Sequence, residues 1–297
     1  MSTSVIAAFS WNLVDDLRQL FAYHFMTNAL AAGTIVAVMA AAIGWFMALR
    51  KQTFVGHTLA VIAFPGAAGA TLAGLPAIAG YFTFTTLGAL ALGRTGSARV
   101  GSRSHESALI GTVQAFALGL GFLFLSLYHG LLDNVTALLF GTFLGITDNQ
   151  VLTLLAVAIA ALAVLALAGR PLLFASLDPE VAATRGVPVG KLSFGFLLLL
   201  GLAVAETSQI TGALLVFALL VTPAATAQTL TTRPIESLVL SIAIALCVTW
   251  LGLAIAYFSP YPVGFWVTTL SFGLFVLARA SRTLEPARRL RASGTVV

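Results

Sequence analysis

The side chains able to do chemistry are few and scattered. The chain of 297 residues holds 4 His, 1 Cys and 10 Asp or Glu. His24, His57, His105 and His129 are far apart in sequence and make no ligand spacing by themselves. Cys247 lies inside an apolar run, so neither a disulfide framework nor a cysteine metal cluster is available. There is no G-x-x-x-x-G-K-[ST] loop to cradle ATP phosphates, no H-E-x-x-H and no G-x-S-x-G. Catalysis is therefore unsupported. If the chain moves a solute, the energy comes from another subunit or from an ion gradient.

What remains is a small set of ionisable groups in or beside apolar runs. Charge is costly there, and such groups are candidates for a solute path. His57 follows Lys51 by roughly 9 Å of helix at 1.5 Å per residue, which puts it in the cytoplasmic half of a span. It reads either as a pathway or gate residue with metal-ligating capacity or as a hydrogen-bonded packing histidine. Glu206 falls near the outer end of a span, and reads either as a pathway ligand or as an interfacial acid in contact with water. His24, His129, Asp133 and Asp148 fit the lining of an outer mouth or ordinary polar loops.

The elements that must hold these residues are membrane spans. Hydrophobic residues make up 59% of the chain and charged ones 8%, with a mean hydropathy of +1.02. A soluble domain carries about 25% charged residues. An ordinary soluble enzyme and a disordered tail protein are excluded. So is a nucleic-acid binder, because the pI of 9.9 comes from a net charge of +5 with no basic stripe. A spanning helix needs about 20 apolar residues. Such runs occur near 25–49, 54–73, 76–92, 109–128, 151–169, 192–209, 210–229, 237–258 and 263–280. The expected fold is all-α: a polytopic bundle of about eight or nine membrane segments. The long stretch 192–229 divides at Glu206–Gln209, whose polar residues suit lipid poorly. Residues 135–147 are too short to span and read as a half-helix or re-entrant piece, tolerated where protein satisfies the backbone.

Lys and Arg accumulate in cytoplasmic loops. With Arg50 and Lys51 inside, alternation of the spans also places Arg94, Arg99, Arg103, Arg170, Arg185, Lys191, Arg233 and the C-terminal arginines inside, leaving Arg18 alone outside. The expected orientation is N-terminus out and C-terminus in. Residues 1–24 lack a basic n-region and a clear cleavage site, and read as an amphipathic lead-in at the outer interface. Residues 25–280 form one membrane domain. Residues 281–297 form a basic, Pro-broken cytoplasmic tail, expected to be disordered near anionic lipid.

The connection from Arg170 to Lys191 is the most informative. Asp178-Pro179-Glu180 has the form of a helix start, with an N-cap Asp, Pro at the first helical position and an acid in the first turn. Gly186 ends the helix after about two turns, and Pro188 prevents its extension. A short capped helix on the inner membrane face suits docking of a cytoplasmic partner, or is an ordinary interfacial helix. Pro65 with Gly66, and Pro223 with Ala224-Ala225, lie inside apparent spans, where a kink beside small residues permits close contact and gating.

Together these stretches resemble the ABC-3 family, the permease subunits of bacterial ABC importers for zinc, manganese and iron. In order, the likeness rests on Arg50-Lys51 through Gly56-His57 to Phe64-Pro65-Gly66, then Leu139-Phe140-Gly141 with Leu144-Gly145. It continues in Asp178-Pro179-Glu180-Val181-Ala182 with Gly186-Val187, and in Gly212 to Ala227 followed by Tyr257, Pro262 and Gly264. The resemblance implies a multi-pass protein of the bacterial inner membrane, a homodimer, a separate ABC ATP-binding subunit and an extracytoplasmic solute-binding protein. It makes Asp178, Glu180, Ala182 and Gly186 part of an ATPase coupling helix, and gives Pro65, Gly66, Gly212 and Pro223 gating or packing roles. No cofactor is expected beyond the transported metal and the ATP used by the partner.

The sequence departs from the family where metal ligands are usual. Family members commonly carry an Asp and a His four residues apart in the second span; here those positions are His57 and Val61, and an acid often found late in the chain is Pro260. One imidazole per protomer fits zinc better than manganese, which favours oxygen ligands. The leading expectation is thus an ATP-driven importer of a divalent transition metal, zinc ahead of manganese or iron. A permease for a metal chelate or other small solute, and a gradient-driven carrier or channel, stand as alternatives.

Overall fold

The structure is a computed structural model that describes residues 13–94, 105–128, 141, 145–213 and 216–293. Among these residues the only regular element is the α-helix. Helix α1 spans Leu13–Ala22, α2 His24–Leu49, α3 Thr53–Leu72, α4 Ala77–Arg94, α5 His105–Leu127 and α6 Asp148–Leu177. There follow α7 Pro179–Thr184, α8 Val189–Thr211, α9 Val216–Leu220, α10 Thr222–Leu230, α11 Pro234–Tyr257 and α12 Val263–Ser293. Seven of these helices are long and apolar enough to cross a membrane: α2, α3, α5, α6, α8, α11 and α12. Helix α4 is an 18-residue helix packed on α3 and α8, and α9 with α10 forms a shorter apolar pair.

Burial sorts the helices into a centre and a rim. Most of α2 and α3 is buried, whereas α5, α6 and α12 show most of their apolar surface. A helix that is apolar all round is a core or lipid-facing helix. Here Ala29, Ala32, Val36, Met39, Ala40 and Ile43 of α2 are in the core, and Leu167 of α6 is 85% exposed.

Small residues bring the central backbones together. A Cβ on Gly80 would stand 2.0 Å from the carbonyl oxygen of Gly66, and one on Gly44 would stand 1.9 Å from that of Leu220. These contacts fix the α3–α4 and α2–α9 crossings, the kind of close approach that glycine permits between membrane helices. Pro65 lies within α3 beside the Gly66 crossing, and no backbone N–H is available there for the helix ladder.

Three expectations need correction. The long stretch 192–229 does not divide at Glu206–Gln209: α8 carries these residues through to Thr211, and the chain breaks at Gly212, whose φ of 72° is costly for a side-chain-bearing residue. The second break, between α9 and α10, falls at Val221 just before Pro223. Nor is Glu206 in contact with water; it is fully buried within this one chain. Finally, the basic C-terminal stretch is helical as far as Ser293, through Pro286. Arg282 secures this helix by donating from Nε to Thr229 O at 3.0 Å and from a second guanidinium nitrogen to Leu230 O, which are C-terminal carbonyls of α10. The half-helix expected over 135–147 lies mostly outside the described residues. Gly141, at φ 78°, is described, and a Cβ there would meet the Ile210 carbonyl at 2.0 Å.

Candidate functional site

His57 is set by a tight turn between the two most buried helices. The chain leaves α2 through Arg50, Lys51 at φ 58° and Gln52, and enters α3 directly. Backbone bonds from Arg50 N to Phe46 O (2.9 Å) and from Gln52 N to Met47 O (3.0 Å) close the turn. His57 follows one turn later, half-buried, on the stripe of α3 that also carries the exposed Phe54. Its ring stands edge-on to Phe217 of α9, with centroids 5.4 Å apart and planes at 82°. Phe217 is itself 37% exposed. The imidazole therefore sits on a part of the protomer that its own chain leaves partly open, between α3 and the broken α9–α10 segment.

Glu206 stands apart from it. Its carboxyl lies in the penultimate turn of α8, and neither oxygen has a hydrogen-bond partner among the described residues. The amide nitrogen of Gln209, three residues on and therefore on the same face, is also buried without a partner. By contrast Thr207, Ser208 and Thr211 bond back to the carbonyls of Ala203, Val204 and Thr207. An unpartnered carboxylate in apolar surroundings is costly, which sets Glu206 apart from the hydroxyl groups around it. The structure does not join Glu206 to His57 in any hydrogen bond, and among the described residues no three His, Cys, Asp or Glu side chains gather into a metal cluster.

Two of the residues expected at an outer mouth do meet. His24 Nε2 is 3.0 Å from Asp148 Oδ1, and Asn28 donates to the same oxygen at 2.7 Å and to Ile146 O at 3.1 Å. The cluster ties the start of α2 to the start of α6, where Thr147 and Gln150 form a capping box. Both partners of the pair are largely exposed, so it adds little to stability. His129 and Asp133 lie outside the described residues.

At the other end of α6 and α8 lies the short helix α7. Asp178 caps it, accepting from Val181 N at 3.0 Å, and Pro179 occupies the first turn. Gly186 at φ 80° ends it, with Gly186 N bonded to Ala183 O and Val187 N to Ala182 O. Ala182 is completely buried, so it seats the helix against the bundle rather than contacting a partner. Glu180, Val181, Ala183 and Thr184 form the exposed face.

Sequence reasoning passed over several residues that matter here. Phe217 was only part of an apolar run, and its position against His57 depends on the break at Gly212. Gly80 and Gly44 gave no signal beyond being small. Arg50 reads as a marker of the cytoplasmic side and as part of the family likeness, with nothing to mark it as buried, yet it is 1% exposed. The available clue was an arginine directly adjoining an apolar run that resumes two residues later.

Comparison with known proteins places this arrangement. The manganese transport system membrane protein MntC of Halalkalibacterium halodurans is 31% identical over 75% of this chain and 75% of its own length. The chelated iron transport system membrane protein YfeC of Yersinia pestis is 31% identical over 90% of this chain and 89% of its own. Among solved structures, PsaBC from Streptococcus pneumoniae in complex with Fab superposes with a TM-score of 0.79 at 26% identity, covering 89% of this chain and 94% of that one. The family described as the ABC 3 transport family matches residues 22–282. The chain is a multi-pass permease subunit of the bacterial inner membrane and a member of the ABC 3 transport family.

Proposed function

We propose that this chain is the membrane-spanning half of an ATP-driven importer for a first-row divalent metal, with manganese or iron as the cargo ahead of zinc. It works as a homodimer with a separate ATP-binding subunit inside and a solute-binding protein outside. The observation that carries the reading is α7: a capped, terminated helix with an exposed face, seated by Ala182 between the ends of two spans. A gradient-driven carrier has no need of such a docking element.

The lone imidazole of His57 by itself favours zinc, and Glu206, a buried oxygen donor, stands apart from it. The preference for manganese or iron over zinc therefore comes from similarity to known permeases. Relatives named for manganese and for chelated iron support the same direction.

In the proposed cycle the binding protein releases the ion at the outer face, near the His24–Asn28–Asp148 cluster. The ion passes the partly open face that bears His57 and Phe217, which a second protomer encloses in the dimer. ATP-driven closure of the partner subunits moves α7, and with it the ends of α6 and α8. The breaks at Gly212 and Val221 and the missing ladder bond at Pro65 let α3, α9 and α10 shift within the bundle.

The test is reconstitution of the permease with its co-purifying ATPase and binding protein in liposomes. ATP-dependent manganese(II) or iron(II) accumulation supports the reading. A permease that binds no ATPase and moves the ion down a gradient would overturn it.

A further inference from the structure

We propose that Arg50 is the positioning residue that transmits movement of α7 to the helix bearing His57; the inference rests on α7 being the docking element. Arg50 closes the C-terminus of α2 and is 1% exposed. Its guanidinium donates through one terminal nitrogen to Ser176 Oγ at 3.1 Å and through the other to Ser193 Oγ at 2.6 Å. Its Nε donates to Gln52 Oε1 at 3.3 Å, and its Cζ lies over the Phe196 ring, 5.4 Å from the centroid. Among the described residues no carboxylate forms an ion pair with it.

The positions of these partners give the arrangement its meaning. Ser176 is two residues before Asp178, the N-cap of α7, on the last turn of α6. Ser193 is in the second turn of α8, on the other side of α7. The two arms of one rigid, planar fork thus hold both roots of the short helix. The third donor holds Gln52, the residue from which α3 starts, and His57 lies five residues further along α3.

Burying an arginine without a counter-ion is not a way to gain stability. Desolvation pulls its pKa below the ordinary value, and an apolar side chain would pack the site at lower cost. What the guanidinium supplies is geometry. It sets the spacing of α6 and α8 relative to the α2–α3 turn through bonds to neutral hydroxyls. Such bonds from a charged donor are strong, yet a hydroxyl that can rotate holds the guanidinium less tightly than a carboxylate would. Ser176 Oγ already donates to Leu172 O at 2.5 Å, so its lone pairs face the arginine. A push on α7 changes the Ser176–Ser193 spacing, and Arg50 passes that change to Gln52 and α3.

The experiment uses the assembled permease, ATPase and binding protein in proteoliposomes, with manganese(II) uptake and ATP hydrolysis measured on the same vesicles. Arg50→Gln is expected to leave ATPase association intact and hydrolysis within about twofold of wild type, while manganese moved per ATP falls by about tenfold or more. Arg50→Lys keeps charge but loses the fork, and is expected to fall between the two. Ser176→Ala with Ser193→Ala, which keeps Arg50, is expected to lower the same ratio even if the Arg50 variants do not fold. An unchanged ratio in the serine double variant, or uptake and hydrolysis falling in proportion, would overturn the proposal. Val181→Asp on the exposed face of α7 separates it from the underlying reading. Release of the ATPase with coupling intact in the Arg50 and serine variants would overturn the Arg50 role alone. An ATPase that stays bound and stimulated with Val181→Asp would overturn the docking reading and this inference with it.

Discussion

The imidazole of His57 and the ring of Phe217 meet edge to face, 5.4 Å between centroids, across the gap between α3 and α9. The contact joins the imidazole to a short helix bounded by the break at Gly212 on one side and by Val221–Pro223 on the other. A shift of α9 therefore changes what stands next to the imidazole. Phe217→Ala is expected to keep the fold, since the ring is partly exposed, and to change metal uptake by about tenfold without loss of ATPase binding. Uptake indistinguishable from wild type would remove the ring from the path.

Glu206 gives a second test. Because its carboxyl is buried without a partner among the described residues, Glu206→Gln removes an ionisable group while keeping its shape. The expected outcome is equal or higher thermal stability in detergent together with a loss of manganese uptake of about tenfold. Full uptake with Glu206→Gln would show that the acid is not a ligand. A fall in stability would show that the charge is structural.

The α3–α4 crossing should tolerate no side chain. Gly80→Val forces the Gly66 backbone away from a Cβ position only 2.0 Å from its oxygen, and is expected to destabilise by about 1–3 kcal/mol or more. Gly195→Ala, on α8 with open space around its Cβ position, is expected to be neutral or to add up to about 1 kcal/mol. Thermal unfolding of the two purified variants compares them directly. Equal behaviour would contradict the close crossing.

The cap of α7 is testable by hydrogen exchange. Asp178→Ala should cost about 1 kcal/mol locally and expose the Val181 amide, while Asp178→Asn should retain most of its protection. Unchanged exchange at Val181 in the alanine variant would mean that the burial of Ala182, and not the cap, holds this helix.

Much of this fold was legible because membrane helices announce themselves by length and apolarity. The runs near 25–49 and 54–73 correspond to α2 and α3 within a residue or two. The signals for α7 were local as well: the acceptor of an N-cap, the fixed φ of Pro179 and the positive φ of Gly186 are properties of single residues. Where the reading failed, the deciding physics was long-range. Glu206 and Gln209 look like a break because polar groups are costly in lipid, but Glu206 and the Gln209 amide nitrogen are buried and the break falls at Gly212. Arg50 looked like a loop cation because its hydroxyl partners lie 126 and 143 residues away. The site is less legible still, since the neighbours of His57 depend on how a broken helix returns to α3.

The central claim is that metal passes His57 under the drive of ATP. The most direct measurement is manganese(II) uptake into proteoliposomes holding the permease, its ATPase and its binding protein, wild type against His57→Ala at equal incorporation. ATP-dependent uptake is expected in the wild type, reduced about tenfold or more in the variant while ATP hydrolysis persists. Equal uptake by both proteins, or no metal uptake by a wild-type complex that hydrolyses ATP, would contradict it.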